Sequence, residues 1–250
     1  MDAWGGVALA CAGVGAGLSG SIAGLASLIS YPALLATGLS PISANVTNTV
    51  ALVFSSAGSV GGSRRELVGQ YRRATRLGVI AIAGSVLGGL LLLALPSGSF
   101  ERVVPWLIGF GSLTILAPRP APVAGEHTAA EDSLPTRLAL FAIGVYAGYF
   151  GAAAGVLLLA LLLRTTADSL PRCNALKNLV LGLANLLAAL TFALLGPVNW
   201  IAVIPAAIGL FVGGRLGPIV VRHSPARALR VIIALAGVGL AVYLGVQAYD

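Results

Sequence analysis

One lysine and a set of amides carry whatever chemistry this sequence can perform in apolar surroundings. Lys177 lies about two turns into the apolar block Pro171–Leu195, in the run Pro171-Arg-Cys-Asn-Ala-Leu-Lys-Asn178. A lysine at that depth is costly unless it snorkels to the surface, pairs, or meets a ligand. Asn174 and Asn178 are four apart and Asn185 follows seven later, so a helix places all three on one face. An earlier block, Pro41–Gly62, mirrors this with Asn48 and Ser55, joined by Asn45 and Thr49. Amide and hydroxyl donors can replace the hydration shell of an oxyanion. Two plainer readings stay open beside this one. Lys177 reaches the nearby membrane surface, and the amides bond helix to helix. Arg215 is read as a snorkelling anchor near the end of its block.

The apolar blocks contain no Asp, Glu or His; Asp168, His127 and His223 all fall in connecting segments. A proton relay through carboxylate or imidazole has nothing to run on there. No cluster of ligand spacing exists for a metal, and no cofactor is expected. Cys11 and Cys173 form no C-x-x-C pair and read as small hydrophobes. Gly17-Leu-Ser19-Gly20 spells G-x-S-G, but such a nucleophile needs a positioned base, and no histidine is available in the blocks. The chain is not expected to be an enzyme. Positive charge without negative charge favours an anionic ligand.

The elements that must position these residues follow from composition. Of 250 residues 58% are apolar and 9% charged, against about 25% charged in an ordinary soluble domain. Mean hydropathy is +0.96, which requires lipid to cover part of the surface. The net charge of +7 does not suggest nucleic acid, because the basic residues sit between apolar runs rather than along one face. Met1-Asp2 begins without a basic n-region and runs into an apolar stretch too long for a signal peptide, so no cleavage is expected. Eight apolar blocks result: Ala3–Leu39, Pro41–Gly62, Leu77–Leu95, Val103–Ala117, Leu138–Leu163, Pro171–Leu195, Trp200–Val221 and Val231–Val246. Most match the 17–25 residues of a spanning helix.

The blocks form two halves, residues 1–117 and 138–250, joined by the polar linker 118–137. Gly17, Gly20 and Gly24 recur 131 residues later as Gly148, Gly151 and Gly155. Pro41 and Asn48 recur as Pro171 and Asn178, and Gly84, Gly88 and Gly89 as Gly209, Gly213 and Gly214. The same order of matches in three successive blocks indicates duplication.

Arginine placement then discriminates between topologies. If all eight blocks cross once, seven arginines face six, counting those of the loops and linker; if blocks one and five return to the side they entered, twelve share one side against Arg102 alone. The second count is that of a positive-inside protein. Block one is 37 uncharged residues interrupted by Gly13, Gly15, Gly17 and Gly20, and block five carries Gly144, Gly148, Gly151 and Gly155. Backbone that leaves the helix at membrane depth is tolerated where it lines a cavity. The alternative is that these glycines pack tilted helices. On the first reading the repeats are inverted, with half-helices starting after Gly20 and Gly151 and aiming their N-termini at the midplane.

The chain resembles the TauE/SafE sulfite-exporter-like permeases over nearly its whole length. The resemblance rests on Gly17-Leu-Ser-Gly-Ser-Ile-Ala-Gly24 followed by Tyr31-Pro32, on Leu39-Ser-Pro-Ile-Ser-Ala44-Asn, on Gly-x-x-x-Gly-Gly in the third block, on the basic loop after block two, and on the same order in the second half. It implies transport of sulfite, organosulfonates or related small anions by a multi-pass inner-membrane protein. The expected fold is therefore all-α and polytopic: two four-segment repeats, inverted, with segments 1 and 5 re-entrant or broken. The expected binding residues are Lys177, Asn45, Asn48, Asn174, Asn178, Asn185, Ser55, Gly20 and Gly151. The expected partners are a small anion and membrane lipid, with a homodimer left open. The alternative function is a non-transporting assembly or maturation partner in the membrane.

Overall fold

The computed structural model describes residues 3–116 and 133–223, with further helical residues at 235, 238–239, 241–246 and 248. Most of the linker and most of the last expected block lie outside the described residues. Ten helices make up the rest, with no strand among the described residues. They are α1 (Ala3–Ala23), α2 (Ser27–Ala36), α3 (Pro41–Gly62), α4 (Arg64–Leu67), α5 (Tyr71–Ala94), α6 (Ser97–Leu116), α7 (Leu134–Tyr149), α8 (Ala154–Thr165), α9 (Leu170–Leu195) and α10 (Trp200–His223). Among the described residues, four stretches are long and apolar enough to cross a membrane: Trp4–Ala23, Tyr71–Ala94, Leu170–Leu195 and Trp200–Val220.

Helix starts follow a repeated device. Ser40, Ser133 and Ser169 precede α3, α7 and α9 in extended backbone, each with a proline at the first or second helical position, where no N–H is needed. Ser40 and Ser133 also accept a hydrogen bond from the N–H three residues on. Three starts lie well before the apolar pattern suggests, α6 beginning at Ser97 rather than Val103. Helix α5 begins at Tyr71 rather than Leu77, because Arg72, Arg73 and Arg76 extend it into the polar surface, and α7 begins at Leu134, at its serine cap.

The repeated glycines pack across the halves. Gly13 lies against Ala206–Leu210 and Gly17 against Leu210–Gly214, so α1 and α10 run in the same direction. Gly84 lies against Phe141–Val145 and Gly88 against Val145–Tyr149, so α5 and α7 do too. A glycine from each half thus fills the same role against the other half, and backbones approach until a Cβ at Gly209 would sit 2.9 Å from the Gly13 Cα. Gly58 and Gly62 place α3 parallel to α10, while Gly78 beside Leu183 and Gly89 beside Phe192 place α5 parallel to α9. Helices α3 and α9 are antiparallel: Ser56 meets Gly182, Val50 packs with Ala189, and Ser43 Oγ donates to the Pro197 carbonyl at 2.8 Å. So α1, α3 and α10 run one way, and α5, α7 and α9 the other.

One end of the bundle therefore gathers the close of α3, α8 and α10 with the opening of α5, α7 and α9. It carries Arg64, Arg65, Arg72, Arg73, Arg76, Arg137, Arg164 and Arg172. Arg102, on α6, belongs to the opposite end. At the arginine-rich end Asp168 pairs with both Arg73 and Arg172, tying the start of α5 to the start of α9. Arg215 is exposed on α10, and its guanidinium lies over Gly61, where a side chain would collide with it.

Candidate functional site

Blocks one and five are each interrupted, at different points of the repeat. Helix α1 continues past Gly20 to Ala23 and is closed by a glycine turn: the Gly24 N–H donates to the Gly20 carbonyl at 2.8 Å, and the Leu25 N–H to the Ser19 carbonyl at 3.4 Å. Gly24 holds φ +80°, which a side chain would strain. The expected break at Gly20 is thus displaced by one turn. In the second half the helix does end before Gly151, at φ +76°, and Ala153 follows at φ +61°. Ala153 is the sole non-glycine at positive φ among the described residues. The reason for the asymmetry is Ile22, which stands 131 residues before Ala153. A β-branched side chain pays heavily in that left-handed region, whereas alanine tolerates it at a cost of about 1–2 kcal/mol.

The two interruptions touch. A Cβ on Gly24 would fall 2.5 Å from the Gly155 Cα, so the backbones cross without side chains between them. Around this crossing lies a cavity of about 60 Å³. The openings of α2 (Ala26, Ser27) and α8 (Ala154, Gly155) border it, as do α3, α7 and α9. Both half-helices begin there, so partial positive charge from each is directed at the same space. Phe150 forms one wall and is backed by Tyr31 at 5.2 Å and Phe100 at 5.9 Å between ring centres. Those three buried rings give that side of the cavity an apolar backing.

Lys177 lines the cavity and is 1% exposed. Its Nζ donates to the carbonyls of Gly20 at 3.1 Å and Ser21 at 3.4 Å. These are last-turn carbonyls of α1; that of Gly20 also accepts from the Gly24 N–H, and the lysine adds a charged donor at the negative end of the helix. The Ser21 carbonyl also accepts from Asn174 Nδ2 at 2.8 Å and Asn178 Nδ2 at 3.3 Å. A carbonyl has two lone pairs, and three donor groups compete for this one. Asn174 makes the short bond, while Lys177 and Asn178 make the longer ones and both line the cavity. None of the cavity-lining residues is Asp, Glu or His.

Of the expected site residues, Gly20, Gly151, Ser55, Lys177, Asn178 and Asn185 come together on this cavity. Asn45, Asn48 and Asn174 do not line it. Asn45 Nδ2 donates to the Tyr149 carbonyl at 2.9 Å, joining α3 to the end of α7. Asn48 Nδ2 donates to Ser27 Oγ at 3.2 Å, and its Oδ1 accepts from Ser30 at 2.6 Å, fixing α2 on α3. These three amides bond across helices at the two interruptions. The cavity also includes residues outside the expected set: Ser21, Ser27, Thr49, Ser56, Ser59 and Phe150. Ser55 and Ser59 are four apart, a spacing that could have marked the second as the first was marked.

A family model described as Sulfite exporter TauE/SafE matches residues 9–244. The chain is 28% identical over 228 residues to the probable membrane transporter protein YfcA of Escherichia coli, covering 88% of this chain and 82% of the relative. It is 24% identical over 230 residues to the probable membrane transporter protein ORF9 of a Sinorhizobium species, covering 92% and 88%. A probable membrane transporter protein of Haemophilus influenzae is 24% identical over 228 residues, covering 91% and 89%. No solved structure matches the chain.

Proposed function

The chain belongs to the TauE/SafE sulfite exporter family and is a membrane transporter, and on that premise we propose that it carries small sulfur-containing anions such as sulfite or organosulfonates, binding them in the cavity at the helix crossing. The observation that supports this most is the buried Lys177 beside the openings of two half-helices in a cavity with no lining carboxylate. A buried ammonium stabilises an anion far more in a low-dielectric site than it would in water. No step in this reading requires covalent chemistry, so the protein is not an enzyme. Purified protein in liposomes is expected to move radiolabelled sulfite across the bilayer. A sulfite flux no greater than that of empty liposomes, from protein shown to be folded, would sink the reading.

The same proposal takes residues 1–117 and 138–250 as two repeats of opposite orientation in the inner membrane, joined by the linker 118–137. It is supported by helix direction: α1 and α3 run opposite to their counterparts α7 and α9, and α5 opposite to α10. It is supported too by the arginines gathered at one end, which would face the cytoplasm. Two antiparallel halves meeting at midplane sites is a common plan for secondary transporters. Reporter fusions within the linker and after Asp250 should then report opposite sides. Identical reporter behaviour at both positions would exclude the inverted arrangement.

A further inference from the structure

A second groove lies on the outside of the bundle, along the seam between α3 and α10. Phe54 of α3 stands on one side, Ile204, Ile208 and Phe211 of α10 on the other, with the buried Ala207 at its base. Among the described residues, its lining comes from these two helices alone and is wholly apolar. The four large side chains are exposed. The positions 204, 208 and 211 continue at helical spacing to Arg215, which therefore extends the same stripe of α10 toward the arginine-rich end. On α3, Phe54 and Gly61 are seven apart and share a face. A Cβ on Gly61 would sit 2.6 Å from Arg215 Nη1, so the guanidinium crosses the seam at the head of the groove. Arg73 and Arg172 share the Asp168 carboxylate, whereas Arg215 makes no hydrogen bond or ion pair with any described residue. It stands eight residues, about 12 Å, before the last residue of α10, where a guanidinium without a counter-charge is costly.

We propose that this seam is a binding site for one anionic phospholipid of the leaflet at the arginine-rich end, its phosphate on Arg215 and an acyl chain along Ile204, Ile208 and Phe211. Three features select that occupant. The first is charge. The guanidinium needs an anion that is not already balanced, and a zwitterionic headgroup brings a cation of its own, whereas an anionic one leaves its phosphate free to pair. The second is geometry. A planar guanidinium offers two parallel N–H donors to two phosphate oxygens, and Gly61 keeps the space over α3 clear for that head. The third is length. Ile204 to Arg215 spans eleven residues, about 17 Å of helix, close to one leaflet of a hydrocarbon core roughly 30 Å thick. A chain hanging from a phosphate at Arg215 thus reaches the far end of the groove near the midplane. The site lies on the outer face of the bundle and shares no residue with the lining of the central cavity, so it is independent of the transported anion.

The test is native mass spectrometry of the purified full-length protein, titrated with phosphatidylglycerol or with phosphatidylcholine of the same acyl chains. Wild type should retain one phosphatidylglycerol in preference to phosphatidylcholine. Arg215→Gln should weaken that adduct about tenfold, the loss expected for one charge-assisted contact, and Arg215→Lys should keep part of it. Ile208→Gln, which puts a polar group in the groove, should weaken it as well. Arg215 and Ile208 are both exposed, so neither change disturbs the packed interior, and unchanged unfolding in detergent checks this. Arg72→Gln removes an exposed arginine from the same end of the bundle but away from the groove, and should leave the adduct in place. Glycerol 3-phosphate in large excess should not displace the lipid, because it lacks the chain. Equal retention of the two lipids, or an undiminished adduct in Arg215→Gln, would overturn the proposal. So would an equal loss in Arg72→Gln, which would mean general attraction to a basic surface, or displacement by glycerol 3-phosphate, which would mean a phosphate site alone. A wild-type dimer that excludes the lipid and separates in Ile208→Gln would give the groove to a second copy of the chain instead.

Discussion

Lys177→Met is expected to weaken sulfite binding tenfold or more, about 1.4 kcal/mol, the scale of one charge-assisted contact. Methionine keeps the length and the apolar stem of the side chain and deletes the ammonium. The structure sharpens the expectation in two ways. Lys177 is too deeply placed to be reaching the surface, so its charge acts inside the cavity. It also caps α1 through Gly20 and Ser21, so its loss removes two hydrogen bonds from the end of that helix. Asn174 and Asn178 still hold the Ser21 carbonyl in the variant, which should keep the crossing assembled. Lys177→Arg preserves the charge but brings a planar, larger head, and partial binding is expected. Titration of wild type and both variants with sulfite, each verified as folded, measures the difference. Equal affinity in Lys177→Met would mean that the lysine serves only as a helix cap.

Gly148→Ala should be far more damaging to the fold than its single added methyl suggests. A Cβ there would run into the Ser85 carbonyl and approach the Ser85 Cα to 2.8 Å, at the contact between α5 and α7. Backbone cannot yield as a flexible side chain does, so the helices must separate. The expected loss is on the order of 3 kcal/mol or more, the upper range for overpacking. Gly15→Ala is the matched control. Nothing lies within 4 Å of the added Cβ, and replacing a helical glycine should stabilise by about 0.5–1 kcal/mol. Unfolding in detergent by increasing denaturant compares the two. Equal stability of both variants would show that the cross-half glycine contacts do not hold the bundle together.

Much of the cavity was legible from residue type alone. A lysine, asparagines and a serine inside apolar blocks are conspicuous because lipid and packed helices tolerate few of them. What periodicity could not separate was amides that face a cavity from amides that face backbone. Asn174 and Asn178 share a helix face and one acceptor, yet only the second lines the cavity. The difference lies in where α1 ends, which depends on a neighbouring segment and not on the spacing within α9. Asn45 and Asn48 were indistinguishable from ligands for the same reason. Their partners, the Tyr149 carbonyl and Ser27 with Ser30, come from other helices.

The glycine repeat disclosed the duplication but not the pairing. Gly17 resembles Gly148 in sequence, yet its neighbours in space are Leu210 and Gly214 of the opposite half. The one-turn displacement of the first break was also hidden, since Gly20 and Gly24 are equally able to leave the helix. Ile22 decides between them, and its effect becomes apparent only beside the left-handed Ala153. Ser21, Ser27, Ser56 and Ser59 escaped the reading because spacing does not separate a helical hydroxyl that faces a cavity from one that bonds its own backbone.

The most direct measurement is the location of a bound anion. Selenite has the shape and charge of sulfite and a heavier central atom, so crystals grown with it reveal its position by anomalous scattering. The account predicts a peak within the cavity at the Gly24–Gly155 crossing, in hydrogen-bond reach of Lys177 Nζ, with the peak absent in Lys177→Met. Selenite bound only at the arginine-rich end, with the cavity empty of it, would contradict the account.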